Sequence, residues 1–162
     1  MSDLTKREAG KDTLMQLVSF MVGEDEFGVD IHRVQEINRV PQLVRIQDVP
    51  DYVDGVLNFW GRVVPVVNLR RRFGMPPKEW DESTRIIVVE KSRKQIGFIV
   101  DVLQEIVRVP TAFTEPPPVN AGPRAEYVTS VARMKDRMLN VFDLDRVFGR
   151  EQVVLSKGSS VR

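Results

Sequence analysis

The chain has 162 residues, 42% of them hydrophobic and 29% charged, with a formal net charge of +1. This composition suits a soluble globular domain, or two small ones packed together, and offers no general attraction to nucleic acid or an anionic membrane. There is no cysteine, which excludes disulfides, Cys-ligated zinc and thiol nucleophiles and accords with a reducing cytoplasm.

Residues 1–13, MSDLTKREAGKDT, are polar and carry no apolar signal-peptide core, so they read as a disordered arm. Short runs rich in Val and Ile follow, as expected of strands: 14–23, 26–31 and 34–40, with a turn at Gly23-Glu24-Asp25. PDYVDG (50–55) reads as one helical turn starting near Pro50. GVLNFWGRVVPVVN (55–68) reads as a tight hairpin, with Gly61 supplying the positive φ that a two-residue turn needs. NLRRRFG (68–74) has an N-cap Asn and a terminal Gly, the signature of a short helix. Further strands are expected at 85–91, 94–103, 105–109 and 137–143, with turns at Ser92-Arg93 and Lys135-Asp136. The Pro-rich stretch 115–123 is a loop that cannot join a central strand. DLDRVFG (143–149) repeats the short-helix design, and 151–162 reads as a flexible tail. No apolar run approaches the roughly 18 residues of a membrane span. Many short strands and few helices point to small barrels or a sandwich.

An internal repeat organises these elements. EFGVDIHRVQEINRVP (26–41) aligns with QIGFIVDVLQEIVRVP (95–110) at an offset of 69, with seven of sixteen positions identical. RVVPVVNLRRRFG (62–74) aligns with RMLNVFDLDRVFG (137–149) at an offset of 75. Two similar halves imply two similar β subdomains, 14–80 and 81–150, within one domain, divided near MPPKEWDEST (75–84). At the second offset Trp60-Gly61 corresponds to Lys135-Asp136. A hairpin here does not require an indole, so Trp60 answers to something particular to the first half. It either fills a pocket between the halves or anchors a partner.

Catalytic chemistry is not legible. His32 is the only histidine, and Asp30 and Arg33 beside it suggest a surface position. No Walker A or G-x-G-x-x-G pattern is present, and no acid–base pair or metal site stands out, so neither cofactor nor metal is expected. Arg70-Arg71-Arg72 points in different directions on a helix and reads as a solvated face. With Arg62 it offers an alternative, a nucleic-acid-binding β-barrel, against which the net charge counts. A binding module fits better than an enzyme.

VDIHRVQEINRV, the Val-Pro element near Pro50, GVLNFWGRVVPVVNLRRRFG, GFIVDVLQEIVRVP and RMLNVFDLDRVF together resemble the CheW family of chemotaxis coupling proteins, over about Leu14 to Phe148. The resemblance implies a mainly β fold of two SH3-like five-stranded barrels sharing an apolar core, with a few short helices. It implies a cytoplasmic, non-enzymatic adaptor at chemoreceptor arrays. Its partners would be the chemoreceptor tip and the regulatory domain of a CheA-type histidine kinase, which shares the fold. By this resemblance the binding surface carries Val34, Gln35, Glu36 and Ile37 on one strand and Gly55, Val56 and Asn58 on another, with Arg39 and Arg62 adding charge. Where the family's turn reads Asn-Leu-Arg-Gly, this chain has Asn58-Phe59-Trp60-Gly61. A planar cation is thus replaced by apolar area and a single N–H donor. Ile37, Val56 and Trp60 would supply apolar contact.

Overall fold

The structure, a computed structural model, describes residues 14–118 and 123–148. The expected arm (1–13), the tail (151–162) and the helix stop at Gly149 lie outside the described residues. The first half runs β1 (Leu14–Val22), β2 (Asp25–Asp30), β3 (Val34–Asn38), β4 (Val53–Phe59), β5 (Arg62–Asn68) and helix α1 (Leu69–Phe73). The second runs β6 (Arg85–Lys91), β7 (Lys94–Val100), β8 (Val102–Pro110), β9 (Thr114–Glu115), β10 (Val128–Met134), β11 (Arg137–Phe142) and helix α2 (Leu144–Phe148). Asn68 caps α1 by accepting from the Arg71 N–H, and Gly74 ends it at φ 76°, as its sequence predicts.

The strands form two sheets, ordered β8-β1-β2-β11-β10-β9 and β3-β6-β7-β5-β4. The predicted class holds: two five-stranded β units with few helices, the two-residue β9 adding a sixth strand to one sheet. The repeat is real in three dimensions. Parallel pairing of β5 with β7 (Val66↔Gly97) has its counterpart in β11 with β2 (Val141↔Gly28), at the same offsets of 75 and 69. Tyr52 O accepts from Asn68 N, and Tyr127 O from Asp143 N, likewise 75 residues on.

The expected division near residues 75–84 is not the division between the sheets. Each sheet takes a hairpin from one half and the rest of its strands from the other: β1–β2 joins β8, β9, β10 and β11, while β6–β7 joins β3, β4 and β5. The halves are exchanged rather than juxtaposed. The physical reason lies in side-chain alternation, which marks a buried face without naming the neighbouring strand. Leu17, Val107, Val109, Ala132 and Leu139 fill one sheet's interior, and Val66, Ile86 and Ile99 the other's. Alternate residues of the same strands meet in a shared core. There Phe20 stacks on Phe27 (centroids 5.8 Å apart) and meets Phe142 edge-on (5.6 Å), while Phe98 lies 5.2 Å from Phe142.

Three local expectations change. The expected turn at Pro50 is present but ends at Val53 rather than Gly55, closed by Val53 N–H donating to Pro50 O, because Val53 at once pairs with Val67 as the start of β4. The predicted strand 94–103 breaks at Asp101, and 34–40 ends at Asn38. Strand β10 was not foreseen, since Thr129, Ser130, Ala132 and Arg133 dilute its apolar signal.

Candidate partner-binding surface

The β4–β5 turn closes a hairpin in which Phe59 faces Arg62. Trp60 and Gly61 both take positive φ, 54° and 82°, the geometry of a type I′ turn. Glycine adopts this freely, whereas an L-residue in the left-handed region costs about 1 kcal/mol. Asn58 locks the turn, its Oδ1 accepting from the Gly61 N–H at 2.9 Å. Trp60 is 84% exposed, so it does not plug the space between the sheets. Among the described residues its ring contact is with Phe59, edge-on at 6.4 Å.

The same end of the sheet gathers polar groups from four strands. Arg62 Nη1 donates to Gln95 Oε1 (3.0 Å), and Gln35 Nε2 donates to Glu90 Oε1 (3.2 Å). Glu90 and Gln95 are cross-strand partners, and Arg33 Nε donates to Glu90 O at 3.0 Å. Gln35, Phe59, Trp60, Gly61 and Arg62 therefore share one end. The adjoining β6–β7 turn adds exposed Arg93 and Lys94, which sequence reasoning missed. Their signal was present, since both sit at the turn already recognised at Ser92-Arg93.

The remaining predicted residues are placed differently. β3 and β4 are the two edge strands in the order of their sheet. The segment between them closes the sheet: Val40 and Leu43 pack inside it with Leu57, and Val44 exchanges two 2.9 Å backbone hydrogen bonds with Val56. Val56 is 2% exposed and offers no apolar contact to a partner. Gly55 is structural as well, with φ 152° and a hypothetical Cβ only 2.6 Å from Val44 O. Val34 and Ile37 are half-buried against the shared core. Along the outer edge Arg39 is exposed, and Glu36 accepts from Asn38 Nδ2.

His32 is exposed and touches Asp30 at 3.1 Å, as its neighbours predicted. Among the described residues no cluster of three His, Cys, Asp or Glu could hold a metal, and no helix is long and apolar enough to cross a membrane. The arginine run is occupied internally. Arg70 forks onto Asp101 (2.8 Å) and reaches Pro76 O. Arg71 donates to Asp51 O. Arg72 donates to Val147 O and lies over the rings of Tyr52 (4.2 Å) and Tyr127 (5.3 Å). Burial opposes ionisation of Asp101. The Arg70 hydrogen bonds, the Gly23 N–H and the Arg70 charge outweigh it and hold the carboxyl below its ordinary range.

Residues 16–152 match the CheW-like domain family. The chain is 32% identical to chemotaxis protein CheW of Klebsiella aerogenes, over 91% of this chain and 89% of that one. It is 28% identical to protein FrzA of Myxococcus xanthus, over 70% and 71% respectively. Among solved structures it resembles the scaffolding protein TtCheW of Thermoanaerobacter tengcongensis, with a TM-score of 0.80 and 28% identity, covering 87% of this chain and 97% of that one. The family model, the relatives and the shared fold together define a scaffolding adaptor of chemotaxis signalling. The chain belongs to the CheW family.

Proposed function

We propose that this chain is a non-enzymatic coupling adaptor. It links the cytoplasmic tip of a chemoreceptor to the regulatory domain of a CheA-type histidine kinase, and works in the cytoplasm at receptor arrays. The observation that carries this reading is Trp60, a rigid aromatic held outward on a turn that resists its own conformation. Anchors of this kind dominate interface energies because they bury large area with little entropy loss. The β3 edge suits a helical receptor tip: half-buried Ile37 gives apolar contact, while Glu36 and Arg39 select charge. The Trp60 end, with Gln35 and Arg62 behind it, suits a folded kinase domain. The alternative of a nucleic-acid interface loses three of its four arginines, because Arg70, Arg71 and Arg72 are engaged within the molecule.

The test is titration of the full chain, Trp60→Ala and Glu36→Lys against both partners from the same organism. Trp60→Ala is expected to weaken kinase-domain binding by about 30-fold, the loss of one anchor worth about 2 kcal/mol. Glu36→Lys is expected to weaken receptor-tip binding and spare the kinase domain. Absence of binding by the unaltered chain to either partner at about 100 μM, well above the micromolar range, would refute the adaptor reading.

A further inference from the structure

The adaptor reading uses one of the chain's two tryptophans and gives the other no part. Trp80 lies in the segment that links the halves and is 45% exposed. It lines an open cleft of about 610 Å³, within the size range of ligand clefts. Pro77, from the same segment, and Leu43, from the segment between β3 and β4, line it with Trp80. Asp54 and Arg71 place the cleft at the start of β4 and beside α1. Trp60 sits past the other end of β4, so the two surfaces are separate.

Most of the charge around the cleft is already matched. Asp54 accepts from Asn68 Nδ2 (2.8 Å) and lies 3.9 Å from Arg71, and Lys78 pairs with Asp81 at 2.8 Å. Arg45 and Glu79 also line the cleft, are exposed, and have no ion pair among the described residues. The second half delivers its end to this place. Arg72 donates to Val147 O (2.7 Å) and Arg146 O (3.2 Å), which fixes the last turn of α2 to α1, one residue from Arg71. Beyond Phe148 the sequence carries Glu151, then the apolar run Val153, Val154 and Leu155, then Lys157. Five residues separate Val153 from Phe148, a reach of up to about 17 Å, and seven carry Leu155 to about 24 Å.

We propose that the cleft is the docking site of this chain's own segment 150–157. Val153, Val154 and Leu155 pack against Trp80, Pro77 and Leu43, with Glu151 toward Arg45 and Lys157 toward Glu79. Packing there removes apolar area from water on both sides, including an indole that otherwise stands half exposed. Opposite charges at the two ends of the run set its direction in the cleft. The tether favours this occupant over any free one, since a short linker holds its segment at about 1 mM or more. An intrinsic Kd of about 100 μM then leaves the segment docked about ten times as often as free. Helix α2 belongs to the second half, and β4 and the 40–46 segment to the first, so docking fastens one half across the other. The inference goes beyond the adaptor reading and does not depend on it.

Fluorescence tests this in a Trp60→Phe background, where Trp80 is the sole indole. The chain truncated after Gly149 is expected to emit further to the red, and to be quenched more by acrylamide, than the full chain. A peptide of residues 150–162 should reverse both changes with a Kd of about 100 μM. It should bind the full chain about tenfold more weakly, because the tethered segment occupies the cleft. Leu155→Ser in the full chain should reproduce the red shift while leaving every described element intact, which separates loss of docking from loss of folding. Equal emission and quenching in the full, truncated and Leu155→Ser chains would overturn the proposal and leave the cleft to an external partner. So would a truncated chain that the peptide fails to restore, beside a Leu155→Ser chain that emits as the full chain does. Protection of Trp80 that is lost on diluting the full chain from about 100 to about 1 μM would overturn it too, by making a second copy the occupant.

Discussion

Trp60 pays twice for its position, in backbone strain and in exposed apolar area. Both are costs to the free chain that a partner can recover in part. Asn tolerates the left-handed region far better than an aromatic residue does. Trp60→Asn is therefore expected to raise stability in urea denaturation by about 0.5–1 kcal/mol while removing the anchor. A loss of stability would mean that the indole packs on the fold more than its 84% exposure indicates. The repeat made Trp60 conspicuous in the sequence, because Lys135 shows that the hairpin needs no indole. Its exposure was not legible, since a Trp between Phe59 and apolar strands suits a core equally well. The positive φ of Gly61 could be foreseen from the turn length, and that of Trp60 follows only once the turn is seen to be type I′. Val56 is the opposite case. A resemblance carried it into the binding surface, and its side chain, 2% exposed, lies within the fold.

Among elements, the break between β7 and β8 is the one that sequence periodicity concealed. Val and Ile run on through 94–103, yet the chain bends at Asp101, whose carboxylate takes the Gly23 N–H and the Arg70 fork. One acidic residue thus ties the β1–β2 turn to helix α1. Because its folded pKa is depressed, Asp101 stabilises the fold above the unfolded value, about 3.9, and that contribution is lost as pH falls through the folded value. Denaturation midpoints followed from pH 7 to pH 3 should drop in the acid range for the wild type. Asp101→Asn should start lower and show a shallower acid dependence. Parallel curves would mean that other carboxylates govern the acid limb. The helix α1 was legible to the residue because its caps are local chemistry. Strand β10 was not, because its identity comes from pairing with β11 rather than from its own composition.

At the scale of the whole molecule, short Val- and Ile-rich runs and turn chemistry announced a mainly β fold, the repeat announced two kindred units, and the shared core came from the family resemblance alone. The exchange of hairpins stayed hidden, since nothing in a strand's composition records which hairpin will lie beside it. The exchange makes each half incomplete. Residues 14–80 supply β1–β2 to one sheet and β3, β4 and β5 to the other, so neither sheet can form from one half alone. Chains cut within 76–83 are expected to be unfolded separately by circular dichroism and to regain strand signal when mixed. Independent folding of either fragment would contradict the interlocked topology. The same interlock bears on load. Two halves joined only by an apolar face could be pulled apart by sliding, but separating residues 14–80 from the second half must also unzip β1 from β8, β2 from β11, β3 from β6 and β5 from β7. A scaffold built this way answers tension as a single stiff link, and holds the spacing of whatever is fastened to its two ends.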